Sequence, residues 1–170
     1  MKSRYIVFGL GLIILIIFAF FSLRRRQTQT SENLVTPTPQ TLSIQDKIEQ
    51  NFKTQIPEDV DKAELKDVSG GNASGLATRK FVNSTFELAI LADLPQPQSG
   101  NFYQGWIYKK DLTGSVADMI SIGQLSLVKG GYMLDYKTTT DRSDYANIFV
   151  SLEVTFDQNP EKHILEGAFQ

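Results

Sequence analysis

His163 is the only histidine among the 170 residues, which makes it the first residue to test for chemistry. Hydrolytic triads and most metal sites need a histidine together with partners that orient it. No constellation of that kind accompanies His163 in the sequence. A position on the surface or at a strand end is therefore the better interpretation, and the sequence predicts no catalytic residue and no enzyme.

Three aspartates in the segment DYKTTTDRSD are a second candidate, because hard cations bind several oxygen ligands. They are Asp135, Asp141 and Asp144. Their spacing does not match that of an EF-hand loop. The stretch from Asp141 to Asp144 has the composition of a turn, in which Asp and Ser side chains bind the local backbone. Cation binding there stays an open alternative, and the prediction is of no metal site and no cofactor.

Three aromatic residues, Tyr103, Trp106 and Tyr108, could form a platform on which a sugar stacks. In a strand, however, alternation places Trp106 and Tyr108 on one face and Tyr103 on the other. At least one of these faces is expected to be core. Core packing is therefore favoured over sugar binding for these residues.

Two glycine pairs are interpreted as turns, and two asparagine triplets are considered as glycosylation sites. The pairs are Gly70-Gly71 and Gly130-Gly131, and the triplets are Asn72-Ala73-Ser74 and Asn83-Ser84-Thr85. Neither pair has the strand–loop–helix context of a phosphate-binding loop. Both triplets match the N-glycosylation pattern, which often arises by chance.

Composition excludes several classes of site. The chain has no cysteine, which removes disulfides, thiolate nucleophiles, zinc–thiolate sites and a lipoprotein anchor. Its five basic residues within 1–26 leave 12 basic and 19 acidic residues in the remainder, a net charge of -7 there. Nucleic acid is not a predicted partner, because binding phosphates requires a basic face.

An uncharged run of 19 residues, 5–23, lies close to the amino terminus. As a helix it would span about 28 Å, close to the thickness of a bilayer's hydrocarbon core. A cleaved signal peptide is the alternative, but no small-residue cleavage site precedes Arg24–Arg26. The sequence therefore predicts a four-residue tail (1–4) and a transmembrane anchor (5–23) that contacts the lipid bilayer.

The segment after the anchor is expected to hold a domain away from the membrane. Residues 24–42 are rich in Pro, Thr and Gln, which is typical of an extended linker. Ser43 is a candidate N-cap of a short amphipathic helix over 43–56, with Ile44, Ile48 and Phe52 on one face. Its apolar face is expected to pack on the domain, and a role in partner or membrane-surface binding is the alternative.

Short strands separated by turns fill residues 60–170, and the run from Thr85 to Tyr108 is central to this pattern. There Phe86, Leu88 and Ile90 alternate with polar or smaller residues, and a proline-rich turn leads into an aromatic strand. About eight strands with little helix indicate an antiparallel sandwich or barrel. The fold class predicted is mainly β, an antiparallel β-sandwich preceded by one transmembrane helix and one amphipathic helix.

An ordered set of residues suggests a family. The set comprises Leu94-Pro95, Gly100, Tyr103 and Trp106, then Gly123, Gly130-Gly131, Val150-Ser151-Leu152-Glu153, Pro160 and Leu165-Glu166-Gly167. In this order, over roughly residues 75–169, the chain resembles the extracytoplasmic C-terminal domain of the anti-sigma-K factors of RskA type. The resemblance implies a β-sandwich outside a bacterial membrane, tethered by one helix. It does not imply binding of a sigma factor, because only Met1–Arg4 precede the predicted span.

Three functional hypotheses follow. The first is a non-catalytic sensory or protein-interaction module at the plasma membrane, single-pass and with its C-terminal domain extracytoplasmic, whose partner is an envelope or membrane protein. The second is a structural cell-surface or assembly protein that binds envelope components or self-associates. An enzyme that uses paired carboxylates is the third and least favoured. The sequence leaves the partner and the oligomeric state open.

Overall fold

The computed structural model describes residues 42–170, and the predicted tail 1–4, the predicted anchor 5–23 and the linker up to Thr41 lie outside them. Within 42–170 no helix is both long and apolar enough to span a membrane. The described elements are α1 (Ile44–Phe52), β1 (Asp61–Asp67), β2 (Ser74–Val82), β3 (Thr85–Asp93), β4 (Phe102–Lys110), β5 (Val116–Gln124), β6 (Ser126–Val128), β7 (Gly131–Thr138), β8 (Asn147–Glu153) and β9 (Lys162–Ala168).

The predicted mainly-β, antiparallel architecture is confirmed. All nine strands belong to one hydrogen-bonded sheet in the order β5-β4-β8-β9-β1-β2-β3-β7-β6, where the sequence predicted about eight strands in two sheets. The sheet is nearly closed, since only Leu125 separates β5, which pairs with β4, from β6, which pairs with β7. The continuous segment from β5 through Leu125 to β6 thus joins the two edge strands of the sheet.

The core lies inside this curled sheet, and alternation of buried residues is clearest in β3 and β1. In β3, Phe86, Leu88, Ile90 and Ala92 are all buried, while the residues between them are only half-buried. β1 follows the same rule, with Ala63 buried alongside fully buried Leu65. Because each buried Leu, Ile or Phe side chain contributes about 1.5–3 kcal/mol, apolar burial by these strands is the main source of stability.

α1 packs against the outer side of the sheet. It begins at Ser43, whose hydroxyl accepts from Asp46 N while the Asp46 carboxylate accepts from Ser43 N, a capping box. It ends at Phe52, within the predicted range 43–56, because Lys53 adopts the left-handed conformation well before Pro57. Ile48 is fully buried, so the apolar face of α1 lies against the domain.

The turn from β1 to β2 is held by the carboxylate of Asp67. Its oxygens accept from the backbone N–H groups of Ser69, Gly71 and Ala73 and from the Ser69 hydroxyl, at 2.8–3.0 Å. Partial burial alone would raise the pKa of Asp67, but the bonds from Ala73, Ser69 and Gly71 together lower it below 3.8. The ionised carboxylate is therefore the form that fits the fold.

We expect the Asp67→Asn variant to be less stable than the wild type at pH 7, and the gap to shrink on acidification. A pKa that is lowered in the folded state stabilises above the unfolded value and is lost as the pH falls through the folded value. The gap should thus begin to close below the ordinary pKa of 3.8. Urea denaturation of both proteins at pH 7, 4 and 3 measures it. Asp59→Asn, at an exposed loop position, is the control, and an equal pH dependence of both variants would contradict the prediction.

Candidate binding trough

An open depression lies on the outer face of β1, and we call it the trough. It has a volume of about 730 Å³. β1 forms its floor, the end of β9 forms one wall, and Gln45 of α1 with the loop before β1 forms the other. Its charged lining residues are Glu58, Lys62, Glu64, Lys66 and Glu166. A volume of this size lies within the usual range for ligand pockets.

Alternation along β1 places these charges. Ala63 and Leu65 point into the core, so Lys62, Glu64 and Lys66 point outward, and burial falls in the same pattern. Alternate residues of a strand are about 6.6–6.8 Å apart. β1 therefore presents a regular row of charges in the order positive, negative, positive along the floor of the trough.

Most of these charges are free to bind a partner. Lys62 Nζ donates to Gln45 Oε1 at 3.3 Å, which ties it to a neutral group. Within residues 42–170, Glu58, Glu64 and Lys66 form no salt bridge. Their exposed side chains are therefore accessible to an incoming partner.

A second hollow of about 600 Å³ adjoins the trough. The two share Gln45, Glu58 and Lys62, and the second continues along α1 and the segment 55–58. In that segment Ile56 N donates to Glu49 Oε1 at 3.0 Å, which fixes the loop against the helix. Together the two hollows extend from β9 to α1, and the segment 55–58 at their edge is hydrogen-bonded to the helix.

His163 lies beside this surface, close to Glu166. A register shift between β8 and β9 pairs Val150 with Leu165 but Ser151 with His163, so one residue of β9 is extra. This bulge brings His163 and Glu166 to the same face, with His163 Nδ1 2.5 Å from Glu166 Oε1. The imidazole also stacks on Phe149, with ring centres 4.0 Å apart. Strict alternation would have separated the pair, so sequence reasoning missed Glu166 as the partner of His163.

The three aromatic candidates are not a surface platform. Tyr103 is buried in the main core, and its hydroxyl donates to Pro95 O at 2.9 Å. Trp106 is fully buried on the opposite face, where it stacks on Phe149 with ring centres 5.8 Å apart and donates from Nε1 to Ser151 Oγ at 2.7 Å. Tyr108 packs edge-on against Phe149. Burial raises the pKa of Tyr108, and the charge of Glu166 raises it further.

The three aspartates are dispersed. Asp141 accepts from Ser143 N and Ser143 Oγ at 2.9 and 2.6 Å, which is the turn contact expected from its sequence, and the Ser143 hydroxyl is the main cause of its lowered pKa. Asp144 pairs with Lys109 at 2.8 Å, and Asp135 is exposed on β7. Across residues 42–170 no three His, Asp or Glu side chains gather as metal ligands.

The glycine and asparagine motifs lie in turns. Gly70 has a φ of +89°, and Asn83 and Ser84, with φ of 50° and 58°, form the two-residue connection from β2 to β3. Gly130 lies in the connection from β6 to β7 and Gly131 is the first residue of β7, and a Cβ added at either glycine would meet the end of α1. Each motif thus has a structural role in this fold.

Comparisons with known proteins identify no relative of this chain. The chain matches no protein-family model and no curated protein, and its fold matches no solved structure. The resemblance to the anti-sigma-K factor domain therefore stays a prediction.

Proposed function

We propose that this chain is a membrane-anchored binding module that displays its β domain outside the cytoplasm and engages an envelope or membrane protein through the trough. The uncharged run 5–23 supports the anchor, and the resemblance of residues 75–169 supports the extracytoplasmic placement. The proposed act is reversible protein binding without covalent chemistry. Sigma-factor binding is not part of it.

The observation that carries the proposal is the row of unpaired charges on the floor of the trough. Exposed charges on a strand are commonly only solvated, but here they line a concave surface rather than a convex one. Glu64 and Lys66 have no ionic partner within the described chain, so a bound protein can pair with both. Complementary charges at an interface chiefly set specificity and association rate.

We expect the Glu64→Lys variant to lose its protein partners. The full chain is cross-linked in membranes before solubilisation, purified, and compared with the wild type by quantitative mass spectrometry. A partner held by the trough should fall about tenfold, because the variant replaces attraction by repulsion. Asp135→Lys makes the same change of charge at an exposed position on β7 outside the trough.

The two variants separate the trough from general charge effects. Loss with Glu64→Lys alone supports the proposal, whereas equal recovery with both variants and the wild type contradicts it. Recovery of a sigma factor, or of a small protein with an anti-sigma domain, would identify a split signalling system with this chain as its outer part.

A structural or self-associating role is the second candidate. Exposed apolar side chains favour it, since Val154 and Phe156 are 63% and 62% exposed and Leu112 is fully exposed at the tip of the β4–β5 hairpin. Sedimentation of the purified chain distinguishes the two functions. A monomer at micromolar concentration argues against self-association.

A further inference from the structure

The order and spacing of the charges in the trough indicate which kind of protein segment would bind there. This inference rests on the proposed function and concerns the same surface. Lys62, Glu64 and Lys66 follow one another at the two-residue repeat of a strand, about 6.6–6.8 Å apart. An extended peptide has the same repeat, so a peptide that lies along β1 would place its alternate side chains opposite these three charges.

We propose that the trough binds an extended segment of a partner protein that carries acidic, basic and acidic side chains at alternate positions. The acidic groups would meet Lys62 and Lys66, and the basic group would meet Glu64. The order reads the same in both chain directions, so the match does not depend on whether the segment runs parallel or antiparallel to β1. The walls at Gln45 and at Gly167–Gln170 would keep the segment along the strand.

The neighbouring charges agree with this pattern. Glu166, the cross-strand partner of Lys66, is already paired with His163, and Lys62 contacts only the neutral amide of Gln45. Leu76, the cross-strand partner of Glu64, is uncharged and buried, so β2 places no competing charge beside Glu64.

A second copy of this chain fits the row less well. Two β1 strands that face each other about a twofold axis at Glu64 bring lysine opposite lysine and glutamate opposite glutamate. If one strand is shifted by two residues along the other, only two of the three charges lie opposite a charge of the other sign. These are either Lys62 and Glu64 or Glu64 and Lys66. A segment with the acidic–basic–acidic order matches all three positions, which favours a different protein as the partner.

Labelled heptapeptides with Thr spacers test the inference on the full chain in nanodiscs of neutral lipid. One peptide carries Glu, Lys and Glu at positions two, four and six, and an isomer of the same composition carries Lys, Glu and Glu. We expect the first to bind about tenfold more tightly by fluorescence anisotropy, a difference of about 1.4 kcal/mol. Added salt should weaken both, because the charges are exposed.

A charge-exchange variant provides the matched control. Lys62→Glu, Glu64→Lys and Lys66→Glu together should weaken the Glu–Lys–Glu peptide and strengthen a Lys–Glu–Lys peptide. Equal binding of the two isomers to the wild type, or no saturable binding of either, would overturn the inference. The cross-linking result with Glu64→Lys is independent: if it still shows loss of a partner, the proposed function stands and only the charge order is wrong.

Discussion

Replacing Trp106 by alanine is expected to lower the free energy of unfolding by about 3–5 kcal/mol, the usual range for truncation of a fully buried large aromatic residue. The indole is fully buried although it lies outside the main core cluster. Its loss removes the stack on Phe149 and leaves the Ser151 hydroxyl without the Nε1 donor at 2.7 Å. Urea denaturation of the fragment 42–170, followed by circular dichroism, measures the change. That fragment contains every core residue named above.

Two further variants show which interaction matters. Trp106→Phe keeps an aromatic ring against Phe149 but loses the N–H donor, so it should fall between the wild type and Trp106→Ala. Leu112→Ala removes a fully exposed side chain at a hairpin tip and should change stability by less than about 0.5 kcal/mol. A loss below about 1 kcal/mol for Trp106→Ala would mean that Trp106, Phe149 and Tyr108 do not form a second packed core on the outer face of the sheet.

Much of the fold follows from alternation that the sequence shows directly. The pattern Phe86, Leu88, Ile90 predicted the buried face of β3, and Ser43 predicted the start of α1, because both are local properties of the backbone. The single nearly closed sheet did not follow. Which strands pair depends on long-range contacts, and local alternation does not encode the change of partner at Leu125 from β4 to β7.

The candidate site was only partly predictable. Charges at Lys62, Glu64 and Lys66 alternate with apolar Ala63 and Leu65, so an outward row of charges was readable from β1 alone. The trough itself was not, because its walls come from α1 and from the end of β9, more than a hundred residues apart in sequence. The pairing of His163 with Glu166 depends on a bulge, which alternation cannot predict.

Gly130→Ala is expected to displace α1 from the sheet and to lower the free energy of unfolding by about 2–4 kcal/mol. Two effects contribute. Gly130 has a φ of +106°, which is unfavourable for alanine, and an added Cβ would overlap Asn51 O and lie 2.8 Å from Asn51 C and 2.9 Å from Phe52 Cα. These are backbone atoms of the helix end, so they can yield only if α1 moves as a whole.

The Gly70→Ala variant separates the effect of backbone strain on stability from the effect of steric overlap. Gly70 also has a positive φ, of +89°, but nothing lies within 4 Å of its added Cβ, so this variant should lose only about 1–2 kcal/mol. Hydrogen exchange should then show faster exchange of the α1 amides in Gly130→Ala alone, with β3 still protected. Equal losses in both variants would mean that α1 is not packed against the β6–β7 connection.

The Gly130→Ala variant also tests whether α1 contributes to peptide binding. α1 positions Gln45, which holds Lys62 Nζ and forms a wall of the trough. Gln45 lies in the first turn of α1, so a displacement of the whole helix reaches it and loosens that wall while Lys62, Glu64 and Lys66 stay on β1. Gly130→Ala should therefore weaken the Glu–Lys–Glu peptide and reduce its advantage over the isomer, although no charge has changed. Unaltered peptide binding in a variant with exchanging α1 amides would show that β1 alone carries the recognition.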